Sequence, residues 1–198
     1  MRRRTVLLAL LLLMVGLVVT SRFAPQVERI EVTGGEHYDR GEILKLARLA
    51  PNDPFLWVTP WSLQDLVNDP WISHVRVMRH WPDTISLRVW EREPVLFDGE
   101  TAYALDGTVL PGVGNTDRIT RLEGWGTRDL DEILELRRML AEFEPEVIRY
   151  SPSGFEVELA DTVLYTPSSY DLQRHWAGFL SRRGSYVAVY PWGVSVRP

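Results

Sequence analysis

The stretch Trp71–Pro94, WISHVRVMRHWPDTISLRVWEREP, decides the fold. Ile85, Leu87 and Val89 alternate with Thr84, Ser86 and Arg88, so one face of a strand enters a core and the other meets water. Ahead of it, Val75 and Val77 sit between His74, Arg76 and Met78 with the same period. Pro82-Asp83 separates the two runs; proline supplies the fixed φ of a turn and aspartate an acceptor for it. A lone hairpin of this size is only marginally stable, so other residues must cover its apolar side.

The preceding segment supplies them. Val27–Thr33 reads as a strand closed by Gly34-Gly35. Asp39 is placed as a helix N-cap, and Ile43, Leu44, Leu46 and Ala47 form a helical stripe to about Leu49, broken by Pro51-Asn52-Asp53-Pro54. Pro60 opens a second short helix with Leu63, Leu66 and Val67, which Asn68-Asp69-Pro70 ends. The resulting β-α-α-β-β order predicts two helices on one face of a three-stranded sheet. Read by period alone, Glu91 and Arg92 are a solvated strand end.

The chain has 198 residues, room for one or two small domains, and no cysteine, which excludes disulfides, a thiol nucleophile and a thiolate metal site. Its formal net charge is −5; without Arg2, Arg3 and Arg4 the remainder is −8, with 19 basic against 27 acidic residues. An acidic body argues against nucleic acid as a partner. Those arginines precede an uncharged run, Thr5–Ser21, rich in leucine and valine. Its 17 residues span about 26 Å as a helix, close to a bilayer core of about 30 Å once Arg4 and Arg22 snorkel. No Ala-x-Ala site follows it, which favours a retained anchor over a cleaved signal peptide. The charges keep residues 1–4 in the cytoplasm, make 5–21 a transmembrane helix and export the body, a single-pass type II arrangement in the cell membrane. The body divides into domains at 22–94 and 95–198.

In the second domain, Leu96–Glu100 and Tyr103–Leu110 predict a hairpin region turning at Asp106-Gly107. Ile119–Leu122 is a short strand. Asp129 with Glu132 predicts a capping box, followed by a helix with Ile133, Leu136, Leu140 and Phe143 on one face. Val147–Tyr150, Gly154–Leu159 and Thr162–Tyr165 are three strands. Ser168 and Asp171 cap one further helix carrying Leu172, Trp176 and Phe179 to a stop at Gly184. Tyr186–Tyr190 and Val194–Arg197 follow as strand, turn, strand. Trp125 and Trp192 fall in turns, where exposure suits a partner.

No constellation asks for chemistry. The four histidines, His37, His74, His80 and His175, lack metal-ligand spacing. Ser168 and Ser169 belong to a helix cap, Asp129 and Asp131 to a helix N-terminus, and Gly34-Gly35 and Gly112-Val113-Gly114 to turns outside any phosphate-loop pattern. The expectation is a non-enzymatic protein with no metal and no cofactor, acting by binding.

Several phrases resemble one family. Ile30-Glu31-Val32-Thr33-Gly34, Asn52-Asp53-Pro54-Phe55-Leu56, the Arg79-His80-Trp81-Pro82 turn and the strand end Val89-Trp90-Glu91-Arg92-Glu93-Pro94 are similar to the POTRA (polypeptide-transport-associated) domain of the bacterial division family FtsQ, called DivIB in some bacteria. Asp106-Gly107-Thr108-Val109-Leu110 and Val187–Val196 resemble its second region, with Ala188 and Val189 where the family usually has an acidic residue and an arginine. The resemblance implies an α+β fold: a transmembrane helix, a POTRA domain, and a mixed α/β domain with an extended, largely antiparallel sheet. It implies a divisome scaffold whose late strands hold FtsB/FtsL-like membrane division proteins by strand addition. The residues carried over are Tyr190, Trp192, Gly193 and Val194, with Tyr190 stacking on the partner and Gly193 admitting a second backbone. The other reading of a POTRA unit is a chaperone or transport module in protein export or outer-membrane assembly; a single such unit is visible here.

Overall fold

The computed structural model describes residues 2–21, 25–181 and 184–197, with side chains from residue 6 onward. It falls into two compact units, Met1–Arg92 and Glu93–Pro198.

The first unit begins with helix α1, Arg2–Thr20. Its apolar side chains from Val6 to Val19 are exposed on every side. Among the described residues, no helix is long and apolar enough to cross a membrane. Val6–Thr20 alone rises only about 22 Å. The expected anchor therefore rests on arginines whose side chains lie outside the described residues.

The rest of this unit has strands β1 (Arg29–Thr33), β2 (Ile72–His80) and β3 (Thr84–Glu91) in sheet order β1-β3-β2. β3 pairs parallel to β1 and antiparallel to β2, with Val75 opposite Val89 and Val77 opposite Leu87. Helix α2 (Arg40–Leu46) has a full capping box: Asp39 accepts from the Glu42 N–H, and Glu42 accepts in return from the Asp39 N–H. It ends three residues short of the expected Leu49 because Arg48 turns left-handed, at φ +48°. The second helix is a 3₁₀ turn, Pro60–Leu63, running into α3 (Gln64–Val67). Ile43, Leu63 and Leu66 from the helices meet Ile85, Leu87 and Val89 from β3 in one fully buried core.

Glu91 and Arg92 are not a solvated strand end. The Glu91 carboxylate accepts N–H bonds from Glu36, His37 and Tyr38 at 2.6, 2.7 and 3.0 Å. Burial alone would raise its pKa; those three donors outweigh burial and hold it below the usual range. Arg92 donates to the carbonyls of Pro70 and Ile72. His37 stacks on Trp71 at 3.6 Å, and Tyr38 donates to Asp69. Two charged side chains thus hold both connections into this end of the sheet. Gly34 belongs to the same clasp: it sits at φ +85°, and a Cβ there would drive into the Val89 carbonyl.

Among the described residues, the second unit contains nine strands: β4 (Pro94–Phe97), β5 (Ala102–Ala104), β6 (Val109–Leu110), β7 (Thr120–Gly124), β8 (Val147–Ser151), β9 (Gly154–Glu158), β10 (Val163–Thr166), β11 (Tyr186–Tyr190) and β12 (Gly193–Arg197). They form one sheet in the order β12-β11-β10-β9-β8-β7-β4-β5-β6. Five neighbouring pairs are antiparallel; β4–β7, β7–β8 and β10–β11 are parallel. Leu122, Ile148, Val157, Leu164, Val187 and Val196 line up across neighbouring strands. This row packs against helices α4 (Leu130–Met139), α5 (Ser169–Arg174) and α6 (Trp176–Leu180) through Ile133, Leu136, Leu172 and Phe179.

Two expectations change here. Asp129 caps α4 by accepting from the Glu132 N–H, but the Glu132 carboxylate turns away from the cap to take the Ser169 N–H at the start of α5. The expected single helix after Ser168 is two, interrupted at His175, whose backbone leaves helical geometry at ψ +21°. Leu172 and Phe179 both sit in the core, and Trp176 packs half-buried against it.

Candidate partner-binding edge

β12 lies at one edge of the nine-stranded sheet. On one side it pairs with β11, Tyr190 opposite Gly193 and Val189 opposite Val194. Among the described residues no strand pairs with its other side, so that edge offers backbone donors and acceptors to an incoming chain.

Side chains alternate across this edge. Val187, Val189, Val194 and Val196 turn toward the helices. Val194 is half-buried there and close enough to α6 that a Cβ at Gly178 would meet it at 3.0 Å. Tyr186, Ala188 and Tyr190 take the opposite face by strand alternation, opposite Arg197, Ser195 and Gly193. Trp192 fills the turn between the strands, 81% exposed, and stacks on Tyr190 with centroids 5.2 Å apart and planes 4° from parallel. The Tyr165 ring stands 5.8 Å from Tyr190, and the Arg197 guanidinium lies over Tyr186 at 5.7 Å. The His175 ring nitrogen meets the Pro191 carbonyl at 3.1 Å, tying the turn to the α5–α6 break.

Of the four residues singled out from sequence, half-buried Tyr190 and exposed Trp192 form one aromatic stack beside the edge. Gly193 has open space where a Cβ would stand. Val194 faces inward and supplies backbone only. Tyr165, Tyr186 and Arg197 share the aromatic face and were not singled out. Their alternation signals a face, but only the pairing β10–β11 brings Tyr165 to it.

The same face continues as a charged band. Arg149 on β8 bonds Glu158, Glu123 and Glu156 from the flanking strands, and these carboxylates, Glu158 foremost, raise its pKa further above the normal guanidinium value. Burial, assisted by the nearby Glu156 charge, raises the Tyr186 hydroxyl. The far part of the sheet has its own clasp: Asp98 accepts from the Thr101 N–H at 2.8 Å, from Arg128 at 2.8 Å and from the Tyr103 hydroxyl at 3.1 Å. Burial opposes ionisation there, but the donors win and lower the Asp98 pKa to about 2. Among the described residues, no three of His, Cys, Asp or Glu come together to hold a metal ion.

This order of strands and helices in the first unit defines a POTRA domain, and residues 26–92 match the family described as POTRA domain, FtsQ-type. The chain is 35% identical to the Cell division protein FtsQ of Geotalea daltonii over 132 residues, 56% of this chain and 46% of that one. It is 30% identical to the Cell division protein FtsQ of Corynebacterium glutamicum over 110 residues, half of each chain. It is 28% identical to that of Syntrophotalea carbinolica over 159 residues, 71% of this chain and 56% of the other. The chain thus spans about half the length of the curated relatives it matches. Its first unit carries a POTRA domain of the FtsQ type, and the chain is similar to cell division proteins named FtsQ.

Proposed function

We propose that this chain is a single-pass membrane scaffold of bacterial cell division, acting by position and affinity, with no catalytic step of its own. The family and the names of the relatives support the division role. Helix α1 supports the anchor: an apolar run without a buried face needs a solvent other than water. With its leading arginines the helix runs about 28 Å. The arginines put the N-terminus in the cytoplasm and the two folded units outside it.

The β12 edge carries the binding role. Its open backbone suits strand addition by FtsB/FtsL-like membrane division proteins, and the Tyr190–Trp192 stack beside it supplies the aromatic anchor that interface hot spots favour. The test is a pull-down of the chain against the membrane division proteins of its host, with Tyr190→Ala alongside. Capture of such a subunit is expected, weakened in the variant by about 2 kcal/mol, roughly 30-fold. Capture unaffected by the variant moves the site. Recovery of export or outer-membrane components in place of division proteins overturns the scaffold reading.

A further inference from the structure

The end of the first sheet where α1 leads in is aromatic. Three connections meet there: the Val27 N–H donates to the Asp53 carbonyl, Phe55 N–H to Pro25, and Glu28 N–H to Asp83. They bring together the start of β1, the 3₁₀ turn Phe55–Trp57 and the β2–β3 turn. The Phe55 ring meets Trp81 edge-on at 6.0 Å. The Trp57 indole N–H donates at 3.2 Å to the hydroxyl of Ser21, the residue after α1.

These turns sort their side chains. Phe55, Val58 and Leu63 are buried, whereas Leu56, Trp57, Trp61 and Trp81 stand out at 43, 45, 81 and 72% exposed. The exposed set is continuous with the end of the apolar helix through the Trp57–Ser21 bond. Arg79 and His80, both exposed, flank Trp81 with a cation and a polar ring. Indole rings with one apolar body and one polar N–H favour the bilayer–water interface, and cationic neighbours suit lipid phosphates. We propose that Leu56, Trp57, Trp61 and Trp81 form an interfacial platform that sits in the headgroup layer of the bilayer entered by α1, fixing the tilt of the POTRA domain on the membrane. This rests on the reading of α1 as an anchor.

The cysteine-free chain accepts single probes. Trp61→Cys, Trp81→Cys and Glu36→Cys are each labelled with a polarity-sensitive fluorophore in the full chain, reconstituted in vesicles of phosphatidylcholine and phosphatidylglycerol. Glu36 lies beyond the opposite end of β1 and serves as the reference. Carbonate-resistant flotation reads the anchor; quenching by lipids spin-labelled near the headgroup reads the platform. Labels at 61 and 81 are expected to be blue-shifted and quenched several-fold more than at 36. Flotation retained with either label no more quenched than at 36 overturns the platform and leaves the anchor standing. Loss of flotation overturns the anchor and the platform with it.

Discussion

Replacing Glu91 by Gln tests whether the strand end of the POTRA unit is a clasp. The native carboxylate takes three backbone N–H bonds, all at 3.0 Å or less. A hydrogen bond to a charged group contributes roughly 1.5–3 kcal/mol. The Glu36 and His37 donors sit in exposed backbone and regain water when the acceptor is lost, so they count for less. The Tyr38 donor is partly buried and counts nearly in full. Gln keeps one carbonyl oxygen and loses the charge, which gives an expected loss of about 1–2 kcal/mol near neutral pH; Ala keeps nothing and costs about 2–3 kcal/mol. The pH dependence has a definite sign. Because the folded pKa of Glu91 lies below its ordinary value, its contribution is complete above the unfolded carboxyl pKa of about 4.3 and fades as pH falls through the folded one. The gap between wild type and Glu91→Gln must therefore narrow in acid. Urea unfolding of the full chain in mild detergent, followed by tryptophan fluorescence, reads it: five of the eight tryptophans lie in the first unit, and Trp71 stacks on His37 beside the clasp. A Gln variant within about 0.3 kcal/mol of wild type at neutral pH, where ordinary surface changes fall, refutes the clasp.

Gly34→Ala should destabilise the same unit by about 3 kcal/mol in the same urea experiment, combining a left-handed φ with a clash against the Val89 carbonyl. A cost near zero would mean the strand ends otherwise. Asp98, depressed to about 2, should contribute about 2 kcal/mol to the second unit at neutral pH, lost as pH falls from about 4 through 2. Asp98→Asn should lower the neutral-pH melting temperature and flatten that acid limb; an unchanged limb would assign it to other groups. Arg149→Ala should cost no more than about 1 kcal/mol, since the arginine and its carboxylate partners are each more than a third exposed, and 1 M salt, with a Debye length of about 3 Å, should shrink the difference further.

The fold was legible where one period ran long enough. Ile85, Leu87 and Val89 fixed a strand face, and the hairpin's need for cover assigned the preceding helices to it. Caps were legible only locally. Asp39–Glu42 and Asp129–Glu132 have the same spacing, yet Glu132 leaves its own cap for Ser169, 37 residues away. No pattern in α4 carries that information, because the competing donor comes from another helix. The break at His175 was hidden for a similar reason: Leu172, Trp176 and Phe179 keep a helical spacing across it, so periodicity continues where the backbone does not. Strand order was the least legible feature. The parallel pairing of β10 with β11, which brings Tyr165 to Tyr190, depends on the crossover through α5 and α6.

Residues that carry the family resemblance and aromatic residues that stay exposed are separable here on physical grounds. Gly34, Glu91 and Arg92 belong to recognisable phrases, and each is used up inside the POTRA unit, against the Val89 carbonyl, three N–H groups and the carbonyls of Pro70 and Ile72. A group so engaged has little left to offer another molecule. Trp61, Trp81 and Trp192 are the reverse: each holds a large apolar ring in water at 72–81% exposure, a state that folding alone does not favour. Only Trp81 and Trp192 stand in phrases similar to the family, and there the backbone of the turn explains the phrase without explaining the ring. Substituting the first group should change stability and leave binding to follow it. Removing the exposed rings should leave the melting transition within about 0.5 kcal/mol of wild type and change only what the surface touches. A Trp192→Ala variant that melted with Glu91→Gln-like losses would erase that separation and return Trp192 to the core.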